Sequence, residues 1–449
     1  MKCIEDEIPF ELPEGWRWDR LGNVSIIARG GSPRPIESYI TDDENGINWI
    51  KIGDTEKDGK YIFKTKEKIK PEGLSKSRYV ESGDFLLTNS MSFGRPYILR
   101  TDGCIHDGWL VIGNIDTVFN QDFLYYALSS YFMYQTLSLL AAGSTVKNLK
   151  SDTVKSVLFP IPPMREQKRI AEKIDSLISF VIKIESDKTD LQTTIQLTKS
   201  KILELAIRGK LVPQDPNDEP ASVLLEHIRA EKEELIKQGK IKRDKKESVI
   251  FRGEDNSYYL KTGNLKETLD DWQIDDIPET WGLCCLGEVC DYGNCTNIDT
   301  KDIPENAWIL DLEDIEKDTG KILQKLTKKE RNSASTKHLF YKNQVLYSKL
   351  RPYLNKVVLA DDNGYCTSEI LPLNFNSCIL PEYAKHYLMS PTFLRYANHC
   401  SYGVKMPRLG TQDGKKAVLT IPPINEQKRI ADKVSQLFSL LDSIANNID

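Results

Sequence analysis

Ile161-Pro-Pro-Met-Arg-Glu-Gln-Lys-Arg-Ile170-Ala-Glu-Lys173 returns 260 residues later as Ile421-Pro-Pro-Ile-Asn-Glu-Gln-Lys-Arg-Ile430-Ala-Asp-Lys433. Each copy closes a long block of mixed sequence and opens a helical pattern. The chain therefore reads as two copies of one domain-plus-helix unit. A duplication of this kind gives one chain two similar surfaces, an arrangement suited to reading two sites on one long ligand. It needs no active site.

The repeat extends outward from these anchors. Leu12-Pro-Glu-Gly-Trp16 with Leu21-Gly-Asn-Val24 matches Ile277-Pro-Glu-Thr-Trp281 with Leu286-Gly-Glu-Val289. Trp49-Ile50 matches Trp308-Ile309, and Gly83-Asp-Phe-Leu-Leu-Thr-Asn-Ser90 lines up with Asn343-Gln-Val-Leu-Tyr-Ser-Lys349. Gly143-Ser-Thr-Val-Lys-Asn-Leu149 aligns with Gly403-Val-Lys-Met-Pro-Arg-Leu409. Between the anchors the copies diverge, which predicts one frame with two surface chemistries. Short β runs such as Asn48–Ile52 and Val345–Ser348 alternate with turn residues. One helical stretch precedes each glycine motif, Asp122–Leu140 and Pro381–Ala397. The fold class is α+β, with two strand-rich domains.

After the first Pro-Pro, apolar residues recur at Ile170, Ile174, Leu177, Val181, Ile184, Leu191, Ile195, Ile202 and Leu205, interrupted at Lys188 and Thr198. Spacings of four and three define a coiled-coil seam. Proline is tolerated just before such a helix, and Gly209 with Arg208 and Lys210 suits its end. Some 40 residues at ~1.5 Å each give a rod of about 60 Å. Ile430, Val434, Leu437, Leu441, Ile444 and Ile448 repeat the phase, so the two long helices are expected to pair antiparallel as a coiled coil. The expected division is 1–160 for the first domain, 161–208 for the first helix and 209–264 for a connector. The second domain then spans 265–420 and the second helix 421–449. The connector carries a helix over Ser222–Gln238 and a basic run from Lys237 to Lys246, read as a solvated face.

Composition is ordinary for a soluble protein: 449 residues, 40% hydrophobic and 28% charged, with net charge −5. No apolar run approaches the ~18 residues of a membrane span, and the start lacks a secretory signal, so no membrane partner and a cytoplasmic location are expected. Nine cysteines without a Cys-x-x-Cys pair read as reduced, partly buried thiols, with no metal site. A nucleic-acid binder of this charge must gather its 61 basic residues locally. No Asn-Pro-Pro-Tyr, His-Glu-x-x-His or Gly-x-Ser-x-Gly segment is present. Gly53-Asp-Thr-Glu-Lys-Asp-Gly59-Lys60-Tyr61 misses a phosphate loop by its glycine spacing and by Tyr61, which stands where a hydroxyl for magnesium belongs. The five histidines do not cluster. Catalytic residues and a cofactor of its own are not expected in this chain.

The connector Leu203-Glu-Leu-Ala-Ile-Arg-Gly209-Lys-Leu-Val-Pro-Gln-Asp-Pro-Asn-Asp-Glu-Pro220, running into Leu224-Leu-Glu-His-Ile-Arg229, closely resembles the central region of specificity subunits of type I restriction–modification enzymes. The twin Pro-Pro-x-x-Glu-Gln-Lys-Arg-Ile segments resemble the start of that family's spacer helices. Ile277–Trp281 and Tyr347-Ser-Lys-Leu-Arg351-Pro-Tyr-Leu-Asn-Lys356 resemble its recurrent target-domain segments. The resemblance implies two target recognition domains, each reading half of a bipartite, asymmetric site in double-stranded DNA, with the helices fixing the unread spacer. It implies two methyltransferase subunits and motor-nuclease subunits as partners, to which S-adenosylmethionine, ATP and magnesium would belong. The second helical pattern is shorter than the first, which leaves part of the first for a partner subunit or for the segment before Trp16.

Arg, Lys, Asn and Gln read base edges, while Ser, Thr and Lys commonly hold phosphates. In the first domain the loop Arg29-Gly-Gly-Ser32-Pro-Arg34 is the leading candidate, its glycines permitting close backbone approach. Lys51, Asn89, Ser92, Arg95 and the turn carrying Thr145, Lys147 and Asn148 follow. In the second domain the candidates are Asn294, Thr296, Lys349, Arg351, Tyr353, Asn355, Lys356, Lys405 and Arg408. The competing readings are a self-contained DNA-modifying or DNA-cleaving enzyme and a coiled-coil scaffold that binds protein.

Overall fold

A computed structural model describes residues 4–56, 59–89, 93–140, 148–239, 248–255, 257–269, 272, 277–331 and 335–447. The chain divides into two compact units, Met1–Glu185 and Ser186–Asp449.

In the first unit, strand Arg17–Arg20 pairs antiparallel with Leu158–Ile161, so the domain's entry and exit are zipped together just before the repeated motif. Between them lie two five-stranded sheets. One runs in the order Ile26–Arg29, Trp109–Gly113, Phe85–Thr88, Pro96–Leu99, Tyr61–Ile62. The other runs Ile40–Thr41, Glu67–Ile69, Ile47–Ile50, Gly103–Ile105, Arg78–Val80. Phe85–Thr88 is buried along its whole length. Leu86 shares a core with Ile50, Ile105, Tyr97 and Trp109. Phe85 and Leu87 join Phe123, Leu124, Leu128 and Leu137 of the helices instead. Successive side chains of a strand point to opposite faces, and both faces here are covered.

The second unit repeats this plan. Gly282–Cys285 pairs with Val418–Ile421. One sheet has the order Asn297–Ile298, Lys337–Phe340, Gly364–Thr367, Trp308–Leu310, Leu326–Thr327. The other keeps three strands, Val357–Leu359, Val345–Ser348 and Ile370–Leu373. The helical stretch of each copy is broken in two. Gln121–Ser129 is followed by Tyr131–Leu140, and Pro381–Leu388 by Pro391–His399. The breaks fall at Ser130 and Ser390, whose hydroxyls accept the N–H groups of Met133 and Phe393 and so start a new helix.

The glutamine shared by the two copies, Gln167 and Gln427, makes the same bonds in each. Gln167 Oε1 accepts the Asn120 N–H at 2.8 Å, and its Nε2 donates to the carbonyls of Val118 (2.8 Å) and Pro162 (2.9 Å). Gln427 does the same with Leu380 N (2.8 Å), Cys378 O (2.8 Å) and Pro422 O (3.0 Å). Both side chains are fully buried, and each latches the start of a spacer helix to its own domain.

The first spacer helix is continuous over Met164–Ile207, 44 residues; the second, Ile424–Asn446, has 23. Within the second unit they run antiparallel. Thr420, just ahead of the second helix, donates to Ile207 O at 2.8 Å, and Lys199 meets Asp442 near the other end. Ile202, Leu203 and Ala206 share one core with Ile430 and Val434. The seam passes through Lys199, buried against Phe438, rather than through Thr198, which is exposed. A helix of 3.6 residues per turn drifts off a strict heptad. In the first unit Leu177, Phe180, Val181 and Ile184 of the seam region remain exposed.

The connector differs from the sequence expectation. Its helix spans Ala221–Lys237, and a three-stranded antiparallel sheet follows, Ser248–Arg252, Tyr258–Thr262 and Leu265–Thr268. The basic run beyond Gly239 lies outside the described residues.

Candidate nucleic-acid interface

In the first unit the candidates converge on a residue the sequence reading passed over, Asp107. Ser32 Oγ donates to its Oδ1 at 2.9 Å, and the exposed Arg34 reaches its Oδ2 at 3.5 Å. Arg29 Nε (2.9 Å) and Asn89 Nδ2 (2.7 Å) both donate to its backbone carbonyl. Burial pushes the Asp107 carboxyl up, but Ser32, His106 and Arg29 together bring it below the usual range. Gly30 serves close approach of a different kind from the one expected. A Cβ there would sit 2.2 Å from the His106 carbonyl oxygen, so the glycine lets the loop lie against its own chain.

Lys51 lies beside this hub and is paired with Glu67 at 2.5 Å. With Arg34, Trp49, His106 and Asp107 they line an open concavity of about 960 Å³. Burial holds the His106 pKa below its ordinary value despite the neighbouring Asp107. Asn89 is 1% exposed, and its amide braces the Asp107 link, so its side chain shapes the loop from within. Arg95 is half-buried over the Tyr97 ring, 5.5 Å from the centroid. Asn148 is half-buried, and its Oδ1 has no hydrogen-bond partner among the described residues. Ser92, Thr145 and Lys147 lie outside the described residues.

In the second unit most candidates gather at two adjoining turns. Arg351 and Asn355 flank Pro352–Leu354 and both take the left-handed conformation, φ 50° and 49°, a strain that persists only when the surroundings impose it. Arg351 N–H donates to Pro407 O at 2.7 Å, which ties this turn to the hairpin of Ser401–Tyr402 and Arg408–Leu409. Tyr353 stands exposed on the turn. Asn355 is buried, with Nδ2 donating to Met389 O at 3.2 Å, and Lys356 Nζ donates to Leu312 O at 2.6 Å. Burial lowers the Lys356 pKa against the opposing pull of Asp314 and Glu313. These two hold the turn, while Tyr353 and the exposed Lys405 face solvent.

Arg408 is held by Glu369, a second acid the sequence reading passed over. Nε lies 3.2 and 3.1 Å from the two carboxylate oxygens and Nη2 2.8 Å from Oε1. Arg408 in turn holds the Glu369 carboxyl below its usual range. Lys349 is half-buried and donates its N–H to Glu369 O at 3.0 Å. Its charge also lowers the thiol of Cys295, which burial pushes up. Asn294 and Thr296 flank that cysteine and are exposed. The Thr296 carbonyl accepts the Leu339 N–H at 2.9 Å. Among the described residues no group of three or more His, Cys, Asp or Glu is arranged to hold a metal ion.

Each unit thus carries cationic loops at the ends of its sheets, braced by one acid on a short link between strands. Residues 13–193 and 278–449 match the family of the type I restriction modification DNA specificity domain, and the chain belongs to that family. It is 28% identical over 445 residues to the EcoDI specificity subunit of Escherichia coli, covering 98% of this chain and 85% of the relative. It is 26% identical to the EcoBI specificity subunit of the same species, with 98% and 83% covered. The HsdS subunit from Thermoanaerobacter tengcongensis has the same fold, with a TM-score of 0.56 at 17% identity over 99% of this chain and 94% of that one.

Proposed function

We propose that the chain is the DNA-specificity subunit of a type I restriction–modification enzyme, each unit reading one half of a bipartite, asymmetric site. Beyond family membership, the observation that carries this is the pairing of one frame with two different sets of cationic loops. Arg29, Arg34 and Lys51 stand in one, and Lys349, Arg351, Lys405 and Arg408 in the other. Different loops on one frame select different half-sites. The spacer helices set the length of the unread tract between them.

Two methyltransferase subunits dock on the helices, and the exposed Leu177, Phe180, Val181 and Ile184 supply an apolar face for that contact. Motor-nuclease subunits complete the assembly. Catalysis lies in these partners, which bring S-adenosylmethionine, ATP and magnesium, while this chain supplies no catalytic group. No helix among the described residues is long and apolar enough to cross a membrane, and the assembly works on DNA in the cytoplasm.

The test is to map methylated adenines across the genome with and without this gene. A bipartite motif that disappears with the gene is the expected result. An unchanged methylation pattern, or methyl transfer by the purified chain alone, would overturn the reading.

A further inference from the structure

In each unit one sheet hands over to the other through a short link, between Gly103–Ile105 and Trp109–Gly113 in the first and between Gly364–Thr367 and Ile370–Leu373 in the second. Each link carries one of the acids, Asp107 or Glu369. A carboxylate on a DNA-facing surface repels phosphates, and both are instead engaged with arginines or hydroxyls of the candidate loops.

The contact in the second unit is the more defined. A guanidinium has five N–H donors in a rigid plane. Glu369 takes the edge formed by Nε and Nη2, and Met406 O accepts from Nη1 at 3.3 Å. Among the described residues, two N–H groups remain without a partner, one on each terminal nitrogen. The backbone beneath is fixed from both sides. Leu409 N–H donates to Lys349 O at 3.0 Å, Arg351 N–H to Pro407 O at 2.7 Å, and Leu350 bridges to Arg408 itself. Arg408 stays about one-third exposed. A guanidinium oriented in this way, with its terminal pair of donors available, matches the O6 and N7 acceptors of guanine. An unrestrained arginine of the same length settles equally well on any phosphate.

We infer that Glu369 is a positioning residue that holds Arg408 to read a guanine in the half-site of the second domain. The inference rests on the DNA-reading function proposed above. Removing the carboxylate frees the guanidinium and deletes one negative charge from the face. Discrimination at that base pair then falls while attraction to unrelated DNA rises.

The experiment uses the full chain assembled with its methyltransferase subunits and a pool of duplexes randomised over the site, with base preference read from the bound fraction. Arg408→Ala should abolish preference for one G·C pair, a loss of about tenfold in discrimination. Glu369→Gln should relax the same pair and no other, with tighter binding to unrelated duplex and a salt dependence steeper by about one counterion. Glu369→Asp should restore part of the preference. Uniform weakening across all positions, relaxation at a different pair, or an unchanged preference in Glu369→Gln would overturn the inference. A wild-type assembly with no base preference at all would overturn the DNA-reading function itself, an outcome visible before any variant is made.

Discussion

The two copies of the Pro-Pro-x-x-Glu-Gln motif are nearly identical in sequence and differ in what surrounds them. In the second unit the motif is enclosed. Glu426, 1% exposed, accepts the Trp281 indole N–H at 3.0 Å and the Gln214 amide at 2.5 Å. Arg429 and Asn425 reach Asp218 at 2.6 and 3.2 Å. Gln214 and Asp218 both belong to the connector. In the first unit the corresponding Trp16 Nε1 has no hydrogen-bond partner among the described residues, Glu166 is half-buried and Arg169 is exposed. The glutamine bonds are the same in both. The motif therefore combines two jobs: glutamine latches helix to domain in each copy, and in the second copy glutamate and arginine also receive the connector.

Six substitutions, in three matched pairs, probe that division. Gln427→Ala and Gln167→Ala each remove three hydrogen bonds at a buried site, and each should cost its unit about 3 kcal/mol. Urea unfolding followed by hydrogen exchange in each unit measures this, and unequal losses would break the symmetry claimed for the latch. Glu426→Ala strands a buried indole N–H and should cost about 2 kcal/mol, whereas Glu166→Ala should stay within ~0.5 kcal/mol. Equal costs would show that the connector is not what distinguishes the copies. At the smallest end, Arg429→Ala should lose about 1 kcal/mol and Arg169→Ala almost nothing, read in the same unfolding series.

A fourth prediction uses pH, ranking between the glutamate and arginine effects. The helix Pro381–Leu388 buries His386, and that burial, reinforced by Lys385, pushes its pKa down to about 3. The corresponding position of the first unit is Tyr126, which donates to Asp175. Unfolded, His386 gains a proton below its ordinary 6.5; folded, it stays neutral until about 3. The unfolded chain binds the extra proton in that window, so stability present above pH 6.5 drains away as pH falls, at roughly 1.4 kcal/mol per unit. Hydrogen exchange on the second unit at pH 7, 6 and 5 should show this slope, and His386→Phe should flatten it. A slope unchanged by that substitution would assign the acid sensitivity to other groups.

The frame was legible because the repeat supplies its own alignment: the paired strands at each domain's ends, the long helix and the antiparallel partner all sit beside repeated segments. What escaped did so for identifiable reasons. Phe85–Thr88 and Val345–Ser348 are covered on both faces, so alternation that would assign each side chain to a layer is missing. The breaks at Ser130 and Ser390 rest on single hydroxyl caps inside apolar stretches. The strands Ser248–Arg252 and Tyr258–Thr262 stood in a region read as connector, and Leu265–Thr268 at the expected start of the second domain, although Tyr258–Thr262 followed by Gly263-Asn264 carries a hairpin signal. In the candidate interface, residue type drew attention to the cations and amides, whereas their braces, Asp107 and Glu369, look like turn residues. Aligning the two links would have exposed an acid in each. The burial of Asn89 and Asn355 depends on long-range packing against Asp107 and Met389, which no local pattern encodes.

The pairing of Arg17–Arg20 with Leu158–Ile161, and of Gly282–Cys285 with Val418–Ile421, brings each domain's first and last strands side by side. The divergent sheets and loops of each domain hang from that two-stranded clasp. A new head could be grafted at Arg20 and Leu158, or at Cys285 and Val418, without recutting the helices. For a lineage under pressure to change its target, the clasp is a plug and socket, and a crossover within its short strands would yield a new pairing of half-sites in one step.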